Sequence, residues 1–165
     1  MSDAVKVGDP VPAAMLWDVD ESGGPRAIDA RERFAKGRHV IFALPGAFTR
    51  TCSEKHLPGY VREAAALKGA GVDGIACVSV NDPMVMRAWG QAHGADGQVA
   101  MLGDGLAAFT QAMGLGSDMS ARGYGFRSKR YAMVIEDGRI AALDIEPPGE
   151  FGTSGAEAVL ARLKG

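Results

Sequence analysis

Cysteine is scarce in this chain: two residues, Cys52 and Cys77, among 165. That excludes a small scaffold stapled by disulfides. Only three histidines accompany them, too few and too scattered for a Cys/His zinc site, so no metal is expected. No long apolar run occurs, and no membrane span is expected. Residues 1–8 lack the apolar segment of a secretory signal, from which a cytoplasmic location is expected. An excess of charge of one sign is missing too. With 18 basic and 20 acidic residues the net charge is −2, which argues against nucleic acid as a partner. There is no phosphate-binding GxxxxGK[ST] loop, so no nucleotide cofactor is expected. No CxxC pair exists either, which removes dithiol exchange within one motif.

What is present is the composition of one globular domain over residues 1–165, with 47% hydrophobic and 23% charged residues. A chain of this length buries about two-thirds of its unfolded surface and folds without staples. The run Val40-Ile41-Phe42-Ala43-Leu44, ended by Pro45-Gly46, reads as a buried strand. A helix follows over 52–68, with Leu57, Val61 and Ala65 on its apolar face and an irregularity at Pro58-Gly59. A strand is expected at 75–80. Asp82 then caps a helix with Pro83 at its first position and Met84, Val85, Ala88, Trp89 and Ala92 on one face. A short strand at 99–102 precedes a helix marked by Leu106, Phe109 and Met113 and stopped by Gly114. Two strands, 131–135 and 139–145, meet at Asp137-Gly138, a strong hairpin signal. Ser154-Gly155-Ala156-Glu157 reads as a capping box opening the last helix. The order β-α-β-α-β-α-β-β-α implies an α/β fold: a mixed central sheet, parallel at its core, with helices on both faces.

Several patterns carry chemistry on paper. Gly69-Ala70-Gly71-Val72-Asp73-Gly74 matches GxGxxG, but a helix precedes it and a strand follows, so it reads as a helix end and turn. Cys52 and His56 stand four apart on one helical face, a spacing open to a Cys–His nucleophile pair or to a metal pair. With no third partner nearby, an exposed helical histidine is the plainer reading. Arg122, Arg127 and Lys129 read as a solvated loop, whereas Arg130, directly before a strand, is placed to point into a cleft. Cys77, inside an apolar strand, reads as a small hydrophobe. Cys52 sits where the loop leaving the first long strand enters a helix, at the C-terminal edge of the sheet. There, unpaired N–H groups favour a thiolate nucleophile.

Pro45-Gly46-Ala47-Phe48-Thr49-Arg50-Thr51-Cys52 resembles the peroxiredoxin signature PxxxTxxC, met by Pro45, Thr49 and Cys52. The wording is similar to that of the atypical type-II branch. His56-Leu57-Pro58-Gly59-Tyr60, Val78-Ser79-Val80-Asn81-Asp82-Pro83, Ser128-Lys129-Arg130-Tyr131 and Ile145-Glu146-Pro147-Pro148-Gly149 extend the resemblance over nearly the whole chain. It implies a thioredoxin-like fold and a thiol-dependent peroxidase acting on hydrogen peroxide and organic hydroperoxides.

In that reading Cys52 is the peroxidatic nucleophile, oxidised to a sulfenic acid. Thr49 orients the peroxide, Arg130 supplies positive charge, and Pro45 shields the sulfur. The late loop Phe151-Gly152-Thr153-Ser154 lacks the resolving cysteine that some members carry there. Cys77 matches a second cysteine of some relatives, sometimes resolving. An external reductant is expected instead, glutathione with glutaredoxin or thioredoxin. The resemblance also implies a homodimer. Arg50 stands where the branch usually has proline, in the loop that borders the dimer contact, and is expected to bear on assembly more than on chemistry. Two other functions use the same residues: a peroxide-sensing module with slow turnover, and a Cys–His hydrolase based on His56.

Overall fold

The structure, a computed structural model, describes residues 3–165. It opens with β1 (Met15–Val19), β2 (Pro25–Asp29), α1 (Ala30–Arg33) and β3 (Arg38–Ala43). A π-helical turn, Cys52–His56, leads into α2 (Leu57–Gly69), then β4 (Gly74–Ser79), α3 (Pro83–Ala92) and β5 (Ala100–Gly103). After α4 (Ala108–Met113) come the short β6 (Gly116–Asp118) and β7 (Phe126–Ser128), then β8 (Tyr131–Glu136), β9 (Arg139–Ile145) and α5 (Ala156–Lys164).

Seven strands form one mixed sheet in the order β2-β1-β5-β4-β3-β8-β9. β3, β4 and β5 are parallel neighbours, while β8, β9, β1 and β2 add antiparallel pairs on the two sides. The apolar run of β3 serves both faces at once, because successive side chains alternate. Val40 and Phe42 pack with residues of α2, α3 and α5, and Ile41 and Ala43 with residues of α1 and α4. That two-sided burial explains why the strand reads as continuous hydrophobic sequence. The β8–β9 turn forms as expected, with Asp137 at φ +48° and Gly138 at +82°. Asp82 caps α3 by accepting from the Val85 N–H at 2.9 Å.

Other expectations are corrected. The N-terminal hairpin β1–β2 was not legible beyond an apolar stretch; β2 is an edge strand with largely exposed residues, so it carries no alternation. The buried face of α3 is Met86, Trp89 and Gly90, while Met84, Ala88 and Ala92 face solvent. Leu106 is exposed and precedes α4. On α2 the buried face is Leu57, Tyr60, Ala64 and Leu67, and Ala65 is exposed. The capping box does not form, since Ser154 lies outside α5 and bonds elsewhere.

Candidate functional site

β3 ends at the C-terminal edge of the sheet and delivers Pro45 and Gly46 into a tight loop. Space at Gly46 is tight: a Cβ there would stand 3.0 Å from Arg127 Nη1 and 3.1 Å from Thr49 Cγ2, so a side chain would push these neighbours by a few tenths of an ångström. Phe48 occupies the left-handed region at φ +61°, a conformation costing about 1–2 kcal/mol for an L-residue with a side chain. Asn81, from the loop before α3, helps hold this loop. Its Oδ1 accepts from the Ala47 N–H at 3.0 Å and from the Ser79 hydroxyl at 2.6 Å.

The helix that follows begins with the Ser53 N–H donating to the Thr49 carbonyl at 2.9 Å. The N–H groups of Arg50, Thr51 and Cys52 therefore fall in the first turn, with no preceding helical carbonyl in register. The Thr49 hydroxyl does not cap them; it donates to the Gly46 carbonyl at 2.7 Å. The irregularity expected at Pro58 lies one turn earlier. Pro58 has no N–H for the Glu54 carbonyl, and the Leu57 N–H reaches back to the Cys52 carbonyl, an i→i+5 bond. Ser53 Oγ accepts from the Trp89 indole N–H at 2.9 Å, tying this turn to α3.

Cys52 is buried, and Arg130, directly before β8, reaches its sulfur: Nη2 donates to Sγ at 3.1 Å. The other arm, Nη1, lies 2.8 Å from His56 Nδ1, and the guanidinium sits 6.0 Å from the centre of the Phe151 ring. A guanidinium at this distance is placed to stabilise negative charge that develops on or beside the sulfur. The structure thus brings Arg130, from the residue before β8, to the sulfur of Cys52. Arg50 is different: its side chain is exposed and pairs with Glu54 at 3.7 Å, a surface contact worth under about 1 kcal/mol.

His56 is the principal correction. It is fully buried rather than exposed. Its Nε2 donates to the Ser154 carbonyl at 3.0 Å, and Tyr60 Oη donates to the same oxygen at 2.7 Å. Burial, assisted by the Arg130 charge, pulls its pKa down to about 3, so the ring is neutral. With Nδ1 engaged by Arg130 and the Nε2 hydrogen by Ser154, no free base faces Cys52, and the Cys–His hydrolase arrangement is absent.

Ser154 is held in turn by Glu146. The carboxylate takes the Gly152 N–H at 2.6 Å, the Ser154 N–H at 2.9 Å and the Ser154 hydroxyl at 2.7 Å. Burial works against ionisation of Glu146, but these hydrogen bonds outweigh it and hold its pKa at about 2. Arg127, read from sequence as part of a solvated loop, donates instead to the Tyr124 carbonyl at 2.8 Å and the Pro45 carbonyl at 3.3 Å, bracing the loop. Arg127 stood in the basic cluster and Glu146 in a late motif, but neither bracing role was legible, because each depends on how a loop folds: Arg127 onto Pro45 and the 146–154 loop back onto the Glu146 carboxylate.

Cys77 is free and fully buried in β4, and burial, then the nearby Cys52, pushes its thiol far above the usual range. Its sequence reading as an apolar filler fits that environment. Among the described residues, no three His, Cys, Asp or Glu side chains gather as a metal site.

Comparison with known proteins agrees with this geometry. A family model described as Redoxin matches residues 6–160. The chain is 45% identical over 163 residues to "Peroxiredoxin-2E-2, chloroplastic" of Oryza sativa subsp. japonica, covering 96% of this chain and 72% of that protein. It is 41% identical to Peroxiredoxin-2C of the same species, covering 96% and 98%. Among solved structures, reduced Prx3 in complex with H2O2 from Vibrio vulnificus is similar with a TM-score of 0.92 at 47% identity, covering 96% of this chain and 99% of that one. Peroxiredoxin 5 from Alvinella pompejana is similar with a TM-score of 0.84 at 31% identity, covering 97% and 98%. The fold is thioredoxin-like.

Proposed function

Because the chain belongs to the Redoxin family, among the type-II peroxiredoxins, and is a thiol-dependent peroxidase, we propose that Cys52 is its peroxidatic sulfur and that an external thiol restores it. The observation that carries the assignment is the 3.1 Å contact from Arg130 to Cys52 Sγ. The thiolate attacks the terminal oxygen of a hydroperoxide and the O–O bond breaks. The sulfur keeps OH as a sulfenic acid, and the departing oxygen takes a proton from solvent to leave as water or an alcohol. Arg130 stabilises negative charge on sulfur before attack and on the oxygens as it redistributes. The N–H groups of Thr51 and Cys52, in the first turn, add donors of the same sense. The Thr49 hydroxyl hydrogen is committed to Gly46, so its lone pairs act as the acceptor for the peroxide O–H. Pro45, with no N–H to offer water, covers the loop side of the site.

The reductant is the open half of the cycle. A thiol RSH condenses with the sulfenic acid to give a mixed disulfide and water. A second thiol then releases the Cys52 thiol and a disulfide RSSR. Cys77 is a poor internal resolver, because attack needs a thiolate and burial holds it as the thiol. We therefore assign regeneration to glutathione with glutaredoxin, or to thioredoxin. Turnover is expected when either system is supplied, and mass spectrometry after one equivalent of peroxide should show Cys52 as sulfenic acid or as the adduct of an added thiol. A Cys52–Cys77 disulfide formed without added thiol would refute external regeneration.

We also propose a homodimer. Asn81 brings the loop carrying Phe48, the start of α3 and the Gly103–Gly105 turn together. Phe48, Met84 and Leu106 on these segments are 58%, 42% and 77% exposed, an apolar surface suited to a second copy. Sedimentation velocity is expected to show a dimer that Phe48→Ser shifts towards monomer; a monomeric parent protein refutes the proposal.

A further inference from the structure

Resting on the assignment of Cys52 and Arg130 above, we infer that His56 is a positioning residue for the peroxide reaction, a neutral acceptor that aims Arg130 at the sulfur without cancelling its charge. A guanidinium offers only N–H groups, so in the 2.8 Å contact Nδ1 of His56 must accept. A carbonyl can only accept, so in the 3.0 Å contact with Ser154 the hydrogen must reside on Nε2. The two contacts together select one uncharged tautomer. Protonation would set an N–H against an N–H at Arg130 and eject the arm that His56 holds.

The support beneath the imidazole is itself fixed. The Ser154 carbonyl that sets the tautomer also receives the Tyr60 hydroxyl, and Ser154 is tied to the Glu146 carboxylate through its own N–H and hydroxyl. Phe42 and Phe151 pack around the ring at 5.0 and 5.1 Å between centroids. Glu146, Ser154, His56, Arg130 and Cys52 thus form one connected series reaching from the late loop to the sulfur.

The identity of the acceptor matters as much as its place. An arginine close to a protein interior is ordinarily held by a carboxylate, often in a two-pronged pair. Here no carboxylate among the described residues makes an ion pair with Arg130. The acid of the series, Glu146, stands behind both Ser154 and His56. A carboxylate in the place of His56 would orient the guanidinium but would offset its field at the sulfur; a neutral imidazole orients it and leaves that field intact.

The test is a double-mutant cycle on the second-order rate constant for H2O2 reacting with the reduced protein, with thermal melts alongside. His56→Phe keeps an aromatic ring among Phe42, Tyr60 and Phe151 but removes the acceptor. It should slow the reaction roughly tenfold, as for loss of one hydrogen bond to a charged group. His56→Asn, which restores a neutral acceptor, should recover most of that loss. In an Arg130→Met background, His56→Phe should cost nothing further, since its effect passes through Arg130. Equal losses in both backgrounds, or an unaltered rate in a folded His56→Phe protein, overturn the inference. If His56→Phe does not fold, His56→Glu is compared with His56→Asn: the carboxylate should react more slowly, and equal rates overturn the inference. An Arg130→Met protein as fast as the parent refutes the site assignment itself, a result separable from failure at His56.

Discussion

Cys52→Ser is expected to lose peroxide reduction to the assay background, whereas Cys77→Ser keeps it within a few-fold. The asymmetry follows from the surroundings of the two sulfurs. Cys52 lies under an arginine at 3.1 Å, in the first turn of a helix with free N–H groups. An alcohol cannot replace it, because a serine hydroxyl stays protonated there and has no comparable nucleophilicity. Cys77 packs in an apolar strand, where its thiol is held neutral by burial. Its serine variant should pay instead in stability, about 1–3 kcal/mol if the buried hydroxyl finds no partner. Stopped-flow peroxide consumption and thermal melts separate the two effects. A folded Cys77→Ser protein that reacts once with peroxide but no longer turns over with external thiols would move Cys77 from filler to resolving residue.

The second large effect belongs to Arg130. Arg130→Met removes both the contact to sulfur and the bond to His56, and should lower the peroxide rate constant by about 10²–10³-fold, the scale of losing a preorganised charge-stabilising donor. Arg130→Lys should fall between the variant and the parent. One ammonium lacks the planar fork that meets Sγ and Nδ1 together, although it retains the charge. Rate constants measured over a peroxide series give the comparison. A lysine variant equal to the parent would mean that charge alone suffices and that the aim of the guanidinium is irrelevant.

Much of this was legible in the sequence wherever the signal was local or periodic. The two-sided β3 run, the Asp137-Gly138 turn and the Asp82-Pro83 helix start each depend on neighbours a few residues away. The PxxxTxxC spacing runs from Pro45 and Thr49 in the loop after β3 to Cys52 in the first helical turn, and the position of Arg130 before β8 brings it to the same sheet edge. His56 was misread because its burial is made tolerable by Arg130 and Ser154, which are 74 and 98 residues away in the chain. Ser154 was misread for a related reason. A capping box was available locally, but the Glu146 carboxylate, eight residues back, takes the serine hydroxyl. Long-range partners decide the role of a buried polar group, and no windowed pattern contains them. The β2 edge strand fails differently: with one side unpaired and its residues largely exposed, it has no alternation to read.

The neutral imidazole beneath Arg130 also sets a boundary on the acid side of the fold. His56 binds its proton only near pH 3 when folded, against an ordinary value of 6.5, so between these values the unfolded chain holds more protons than the native one. Stability must then rise with pH across that interval and be lost on acidification through it. Glu146, held at about 2 against 4.5, acts with the same sign further down: its contribution is present above the ordinary value and lost as pH falls towards 2. The two groups that orient the site are thus also the ones through which protons would dismantle it, first at the ring and then at the carboxylate behind it.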